Sequence, residues 1–312
     1  MARHRLAIAL ALAASASAAS PGAVTCVIRR GATDRIQATG YRPDTLFQIM
    51  SMTKPITAVA IMILADEGRL CLDDRVSNYL PEFAARAYTI RHLFTHTSGL
   101  PAEDPKPIWD EHVKYGHTLA EVAALIAAEP PLSAPGAQTR YSGPGFVVLG
   151  RVVEMVSQLP FDKFVTDRIL TPLGMNDTYF FPPPNVRHRI APVYEWRDGA
   201  LHRADVDLYR EGAKYANPAG GLFSTAADVA RFLKMMLNSG NPILSARAVQ
   251  EMTAPPGLGW QLRPSGAFGH SGSFGTYMWA DPRAGLAGVF LIQQIGATNK
   301  ERDAFVAETS KQ

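Results

Sequence analysis

The chain has 312 residues, of which 47% are hydrophobic and 19% charged, so it can bury the core of one large domain or two medium ones. This composition excludes an intrinsically disordered chain. Lys and Arg number 31 and Asp and Glu 28, a formal net charge of +3, and no basic run is longer than Arg29 and Arg30. We therefore expect no nucleic-acid binding.

Residues 1–20 have the pattern of an export signal. Arg3 and Arg5 precede an uncharged Leu/Ala stretch, which is followed by small residues spaced as signal peptidase prefers. We therefore expect cleavage near residue 20 and a periplasmic or secreted domain over residues 21–312. An Ala-rich helix packed on a cytoplasmic protein is the alternative. No later apolar stretch approaches the roughly 20 residues that a transmembrane helix needs.

The first elements after this segment are a hairpin and a helix. Alternating apolar residues and a central turn predict the hairpin over residues 22–39. Residues 51–64 are nearly all apolar and predict a helix that is buried on every side, with Pro55 in its first turn and Gly68 beyond its end.

The rest of the chain separates into a helical middle and a strand-rich end. Helices are predicted at 118–129, 146–157, 161–169, 226–238 and 299–310, and strands at 266–271, 276–280 and 286–293. The sequence thus predicts an α/β fold whose sheet is built from the two ends of the chain, about 21–68 and 251–312, with an all-helical insertion over about 69–250.

The cysteines and two histidines were considered as metal or disulfide sites. Cys26 and Cys71 are too few for a disulfide scaffold and too far apart for a zinc knuckle. We expect two free thiols, and a single bridge between them is the alternative. His92 and His96 have the spacing of a zinc-binding helix, but the Glu of an H-E-x-x-H motif is absent. We expect these histidines to be hydrogen-bonded in a tight turn, and we expect no metal.

Ser51 and Lys54 form a candidate nucleophilic pair at the mouth of the buried helix. Their i, i+3 spacing places the hydroxyl and the amine on one helix face. A Lys at the start of an apolar helix is costly to bury unless it is paired or deprotonated. A deprotonated amine beside a serine can activate it as a nucleophile, although Ser-x-x-Lys by itself is a weak motif.

Tyr141 is a candidate acid or base. It follows a turn-rich stretch and precedes an apolar helix, and it could exchange a proton if a neighbouring ammonium lowered its pKa from about 10. On the residues alone, a tyrosine that packs or caps a loop is the alternative.

Residues 269–273, G-H-S-G-S, resemble a nucleophile elbow, but Ser273 replaces the final Gly. No His follows His270, so the chain order of that fold's triad is not met. We interpret the segment as an edge strand at which Gly272 lets a substrate backbone approach.

Further motifs follow in order along the chain. They are T-L-F-Q-I-M-S-M-T-K at 45–54, L-F-T-H-T-S-G-L at 93–100, P-L-G-M at 172–175, A-G-G-L-F-S-T at 219–225 and G-T-Y at 275–277. Together they resemble the serine β-lactamase and penicillin-binding superfamily, in the branch of class C β-lactamases, D-Ala-D-Ala carboxypeptidases and related carboxylesterases. The resemblance implies a β-lactamase/transpeptidase-like fold with an antiparallel sheet.

The resemblance also implies roles for the candidate residues. Ser51 corresponds to the nucleophile, Lys54 to the amine that helps deprotonate it, and Tyr141 to the second member of the proton-transfer pair. Which of the two takes the proton stays open, because such close groups titrate as a unit. No cofactor is implied.

A second set of residues is implied to bind the substrate. His270, Ser271 and Gly272 match the family's third motif, and the backbone N–H groups of Ser51 and Ser273 are implied as the oxyanion hole. Gly143 departs from the pattern, since relatives that cleave amides usually carry there an Asn that binds the acylamino group.

The missing Asn favours a short-chain carboxylesterase acting through an acyl-enzyme on a small-molecule ester. A D-Ala-D-Ala carboxypeptidase or weak β-lactamase acting on an amide is the first alternative, and a catalytically idle ligand-binding relative is the second. The sequence leaves the oligomeric state open.

Overall fold

The two ends of the chain meet in one antiparallel sheet. The structure is a computed structural model that describes residues 20–32, 34–108, 111–206, 208 and 211–310, with the side chains of 111–113 excepted. The predicted export signal lies outside the described residues apart from Ser20.

The strands, in chain order, are β1 (Ala23–Arg29), β2 (Arg35–Thr39), β3 (Phe47–Gln48), β4 (Tyr194–Arg197), β5 (Ala200–Arg203), β6 (Phe223–Ser224), β7 (Gln261–Leu262), β8 (Phe268–Ser271), β9 (Tyr277–Asp281), β10 (Leu286–Leu291) and β11 (Gln294–Ile295). The main sheet has the order β2-β1-β10-β9-β8-β7, and its neighbouring strands are antiparallel. The predicted sheet from both ends of the chain is confirmed.

The helices are α1 (Thr53–Asp66), α2 (Ile90–Phe94), α3 (Glu111–Gly116), α4 (Leu119–Ala128), α5 (Gly143–Ser157), α6 (Phe161–Val165), α7 (Ala226–Leu237), α8 (Ala246–Thr253) and α9 (Lys300–Ser310). A 3₁₀ turn, Met50–Met52, precedes α1, and a π-helical turn, Thr166–Leu170, continues α6. No helix among the described residues is both long and apolar enough to cross a membrane.

Helix α1 lies at the centre of the core, as its composition predicts. Its residues from Thr53 to Leu64 are all buried, and it packs against α5. Helix α7 packs on one face of the main sheet, while α9 covers a separate apolar cluster that includes Trp279 and Phe290 on strands β9 and β10. The start of α1, and with it Ser51, is therefore held by the most buried part of the molecule.

Helix α5 begins three residues earlier than its apolar pattern predicts. Ser142 caps it by accepting a hydrogen bond from the Gly145 N–H at 3.2 Å, and Pro144 occupies the first turn, where its missing N–H costs nothing. The cap fixes the point at which the chain turns from Tyr141 into the helix.

The insertion is mainly helical, but the prediction that it is all-helical was wrong. It carries the hairpin of β4 and β5, which β11 joins in parallel, and it carries β6, which pairs with β3. Asp198 and Gly199 both have positive φ, +53° and +76°, in the two-residue hairpin turn. Asp-Gly is a strong signal for this turn, and the sequence analysis did not use it.

Candidate active site

Ser51 lies in the 3₁₀ turn between β3 and α1. The preceding residue, Met50, has φ +50°, a left-handed conformation that is costly for a side chain of its size. The flanking backbone is fastened to the segment before β6: the Ile49 N–H donates to the Leu222 carbonyl at 2.9 Å, and the Leu222 N–H donates to Thr53 Oγ1 at 3.2 Å. These bonds fix the strained turn that presents the Ser51 hydroxyl.

Lys54 points from the first turn of α1 to Ser51. Its Nζ donates to Ser51 Oγ at 3.1 Å and to the Ala219 carbonyl at 2.7 Å, and only 2% of the residue is exposed. Burial lowers the pKa of Lys54 to about 7, with a smaller contribution from the positive charge of Lys114. Near neutral pH a large fraction of this lysine is therefore the free amine, which can accept the serine proton.

A partly buried ion pair acts on this amine, between Lys114 of α3 and Asp104. Lys114 is 8% exposed, and its Nζ is 5.6 Å from the ring centre of Tyr215. The two charges act on Lys54 in opposite directions, because Lys114 lowers its pKa and Asp104 raises it. Nothing in the local sequence pattern separates this pair from a surface pair, so it was not predicted.

Tyr141 stands opposite Lys54, in the extended segment before α5. The Lys54 Nζ is 4.9 Å from the centre of the Tyr141 ring, and the residue is 45% exposed. Burial of the hydroxyl raises the pKa of Tyr141, and its hydrogen bond with Ser51 opposes that rise. The sequence suggested that a neighbouring ammonium could lower the pKa of Tyr141, but burial raises it instead. The tyrosine therefore holds its proton in the resting site.

His270 lies near the end of β8, close to Tyr141. It is 3% exposed, and its Nδ1 is 2.8 Å from the Ser271 carbonyl oxygen, so Nδ1 carries the proton and donates. Burial lowers the pKa of His270 to about 3, which keeps the ring neutral. The ring centres of His270 and Tyr141 are 6.4 Å apart.

Gly272 joins the third motif to the nucleophile turn. A Cβ at this position would lie 2.2 Å from Thr276 Oγ1 and 2.5 Å from the Ile49 carbonyl oxygen. Glycine is required here because the protein's own backbone approaches, a reason different from the substrate approach that the sequence suggested. Strand β8 is also not an edge strand, since it lies between β7 and β9, although β7 pairs only with its first two residues.

The two proposed oxyanion donors lie on these joined segments. The Thr276 hydroxyl donates to the Ile49 carbonyl at 3.1 Å, which ties the loop after β8 to the turn before Ser51. The loop that carries Ser273 is therefore held against the turn that carries Ser51.

Gly143 is the first residue of α5, and a side chain would fit at this position. A Cβ there would meet nothing closer than the Ala102 carbonyl oxygen at 3.9 Å and the Ala219 Cβ at 4.0 Å. Ala219 is the residue whose carbonyl accepts from Lys54. The position could therefore hold a side chain close to the Lys54 amine, but this chain supplies none.

His92 and His96 make separate hydrogen bonds. His92 Nδ1 accepts from the Thr89 N–H at 3.1 Å in the capping box of α2, whereas His96 Nδ1 accepts from the Ser142 N–H at 3.1 Å. The described residues contain no cluster of three or more His, Cys, Asp or Glu side chains that could hold a metal. Cys26 is buried, Cys71 is exposed, and both are free thiols.

Comparison with known proteins identifies the family to which this site belongs. Residues 8–311 match the profile of the family described as Beta-lactamase. Protein Rv1367c of Mycobacterium tuberculosis is 30% identical over 92% of this chain and 89% of its own, and Esterase EstB of Burkholderia gladioli is 31% identical over 80% and 74%. The octameric penicillin-binding protein homologue from Pyrococcus abyssi has a TM-score of 0.79 at 27% identity, over 91% of this chain and 72% of its own.

Proposed function

This chain belongs to the β-lactamase family of serine hydrolases, and we propose that it is a carboxylesterase that acts on short-chain esters through an acyl-enzyme on Ser51. The observation that carries the proposal is the convergence of a buried, partly deprotonated Lys54 and a protonated Tyr141 on one serine hydroxyl. The arrangement contains a base, a nucleophile and an acid in contact.

The reaction follows from these contacts. Ser51 Oγ attacks the ester carbonyl carbon while the Lys54 and Tyr141 pair takes the hydroxyl proton, and the negative charge develops on the carbonyl oxygen near the N–H groups of Ser51 and Ser273. The C–O bond then breaks, and the pair returns the proton to the departing alkoxide. Water, deprotonated by the same pair, then attacks the carbonyl carbon of the acyl-Ser51 ester. The bond from this carbon to Ser51 Oγ breaks, the pair returns the proton to Oγ, and the acid is released.

The choice of an ester rests on Gly143. Glycine offers no side-chain amide that could bind an acylamino group, and an amide substrate needs such a contact while its poorer leaving group departs. The similarity to Esterase EstB supports the same choice.

An amide substrate is the second candidate. The structural similarity to a penicillin-binding protein homologue favours a D-Ala-D-Ala carboxypeptidase or a weak β-lactamase, whose acyl-enzyme would use the same three side chains. A ligand-binding relative without catalysis is the remaining candidate, and it would form no covalent adduct.

Mass spectrometry of the intact protein separates these candidates. Brief exposure to a p-nitrophenyl ester, to a fluorophosphonate and to a penicillin, in separate samples, should give an adduct on Ser51 with the first two. A faster and more complete adduct with the penicillin would favour the amide candidates. No adduct with any probe would favour the ligand-binding relative.

We also propose that the protein is exported, on the pattern of residues 1–20. The N-terminal sequence of the protein isolated from its native host should then begin between residues 16 and 21. An intact N-terminus on cytoplasmic protein would contradict this proposal.

A further inference from the structure

His96 contacts the segment that carries Tyr141 on both sides of the tyrosine. Its carbonyl oxygen accepts from the Arg140 N–H at 2.8 Å, and its Nδ1 accepts from the Ser142 N–H at 3.1 Å. One residue thus holds both backbone amides that flank Tyr141.

The imidazole of His96 also packs on the tyrosine ring. The two ring centres are 4.6 Å apart with an angle of 39° between the planes, and the ring of Phe146 lies 5.5 Å from the imidazole. Tyr141 is 45% exposed, and the imidazole of His96 covers one face of its ring.

The backbone of His96 is adapted to this arrangement. Its φ of +57° is left-handed, which directs the carbonyl and the side chain of one residue to the same neighbouring segment. Because Nδ1 accepts a hydrogen bond from a backbone amide, the neutral ring carries its proton on Nε2. Burial lowers the pKa of His96 to about 4, with a contribution from Lys54, so the acceptor is present at neutral pH.

We propose that His96 is a positioning residue that fixes the Tyr141 hydroxyl at Ser51 through these three contacts. The inference rests on the proposed acyl-enzyme chemistry, in which Tyr141 exchanges a proton with Ser51. The proposal gives His96 a role, which neither metal binding nor a hydrogen bond within a turn provides.

Two substitutions separate the contributions. His96→Gly removes the ring and the acceptor but tolerates the left-handed backbone, whereas His96→Asn keeps an acceptor at the position of Nδ1 and also tolerates that backbone. We expect His96→Gly to lower the acylation rate constant for a p-nitrophenyl ester by about 10²-fold, the scale of a misplaced catalytic group, with a smaller change in KM. We expect His96→Asn to recover part of this loss.

His92→Ala is the matched control, because it removes an Nδ1 acceptor from the same turn without a contact to Tyr141. It should lower the melting temperature while leaving the acylation rate constant within about threefold of wild type. An equal loss of rate in His92→Ala and His96→Gly would overturn the proposal, since the loss would then follow stability.

A double-mutant cycle tests whether His96 acts through Tyr141. In a Tyr141→Phe background, His96→Gly should cost less than about threefold, because the hydroxyl that it positions is already absent. The full loss in this background would overturn the proposal.

A crystal structure of His96→Gly gives a readout that does not depend on activity. The Tyr141 hydroxyl should move away from Ser51 Oγ by about 1 Å or more. An unmoved hydroxyl would overturn the positioning role. A displaced hydroxyl in His96→Gly, together with a wild-type protein that no acyl donor labels, would support the positioning role and contradict the proposed function. Should His96→Gly fail to fold, the same measurement on His96→Asn should show the hydroxyl retained, and a displaced hydroxyl there would contradict the role of the Nδ1 acceptor.

Discussion

The wall of the site that carries Ser51 and Lys54 is part of the core, whereas the wall that carries Tyr141 stands at the surface. Lys54 is 2% exposed and lies on a helix buried along most of its length, while Tyr141 is 45% exposed and is held by contacts with a neighbouring turn. Burial therefore sets the charge of the first wall, and hydrogen bonds from a loop set the position of the second. The two walls should respond differently to substitution.

The largest effect is expected at the nucleophile itself. Ser51→Ala should abolish adduct formation and ester turnover and leave the fold intact, because one small side chain replaces another at a partly exposed position. Intact mass after exposure to a fluorophosphonate, together with turnover of p-nitrophenyl butyrate, measures this. Turnover that persists in protein free of contaminating esterases would contradict the mechanism.

Removal of either proton-transfer group should have the next largest effect. Lys54→Ala and Tyr141→Phe should each lower kcat by at least about 10²-fold, the scale of general acid–base catalysis. The melting temperature sharpens the comparison of the two walls. Tyr141→Phe should leave the melting temperature nearly unchanged, whereas Lys54→Ala should change it, because it removes a side chain packed in the core. Near-normal rates in both variants would show that the roles are misassigned.

The difference between the walls also explains what the sequence could predict. The buried helix and the pairing of Ser51 with Lys54 follow from local information, an apolar composition and an i, i+3 spacing. Tyr141 could not be placed in this way, because its contact with Ser51 is made between segments some 90 residues apart in the chain, and only the order of motifs typical of a family pointed to it.

Two other features of the site could not be predicted from local sequence patterns. The ion pair of Asp104 with Lys114 looks in the sequence like any surface pair, and only the packing of α3 shows that Lys114 is 8% exposed. The left-handed backbone of His96 depends on tertiary hydrogen bonds rather than on residue type, since it is glycine that adopts this conformation without cost. The hairpin of β4 and β5, in contrast, could have been predicted, because its Asp-Gly turn is visible in the sequence.

The charge on the buried wall should be adjustable through the neighbouring ion pair. Since the free amine of Lys54 is the active form and its pKa is about 7, kcat/KM of the wild-type enzyme should fall as the pH drops below about 7. Asp104→Asn removes a charge that raises this pKa, so the fall should move to lower pH. Lys114→Met removes a charge that lowers it, so the fall should move to higher pH.

The measurement is kcat/KM for p-nitrophenyl butyrate from pH 5 to pH 9. Asp167→Asn is the matched control, because its partner Lys163 forms an exposed pair on α6 and the adjoining turn, and neither charge affects Lys54. Shifts of the same sign in Asp104→Asn and Lys114→Met would mean that the two variants act by disturbing the fold and not by their charges.

The smallest effect is expected from adding a group to the exposed wall at Gly143. A Cβ at this position has only ordinary contacts, at 3.9 and 4.0 Å, so Gly143→Asn can be made without steric strain. Its amide would offer an acylamino substrate one hydrogen bond, with a net value of about 0.5–1.5 kcal/mol, which corresponds to a roughly 2- to 12-fold gain in kcat/KM. An alkyl ester without an acylamino group has no partner for this amide and should gain nothing.

The ratio of kcat/KM on a penicillin or a D-Ala-D-Ala peptide to kcat/KM on p-nitrophenyl butyrate should therefore rise in Gly143→Asn. It should not rise in Gly143→Ala, which adds the Cβ and stiffens the start of α5 but brings no amide. A wild-type enzyme that already hydrolyses a cephalosporin as fast as p-nitrophenyl butyrate would show that Gly143 does not discriminate between the two substrate classes. Such a result would contradict the proposed preference for esters, because an enzyme that cleaves both substrates equally fast needs no side-chain amide at position 143 to hold an acylamino group.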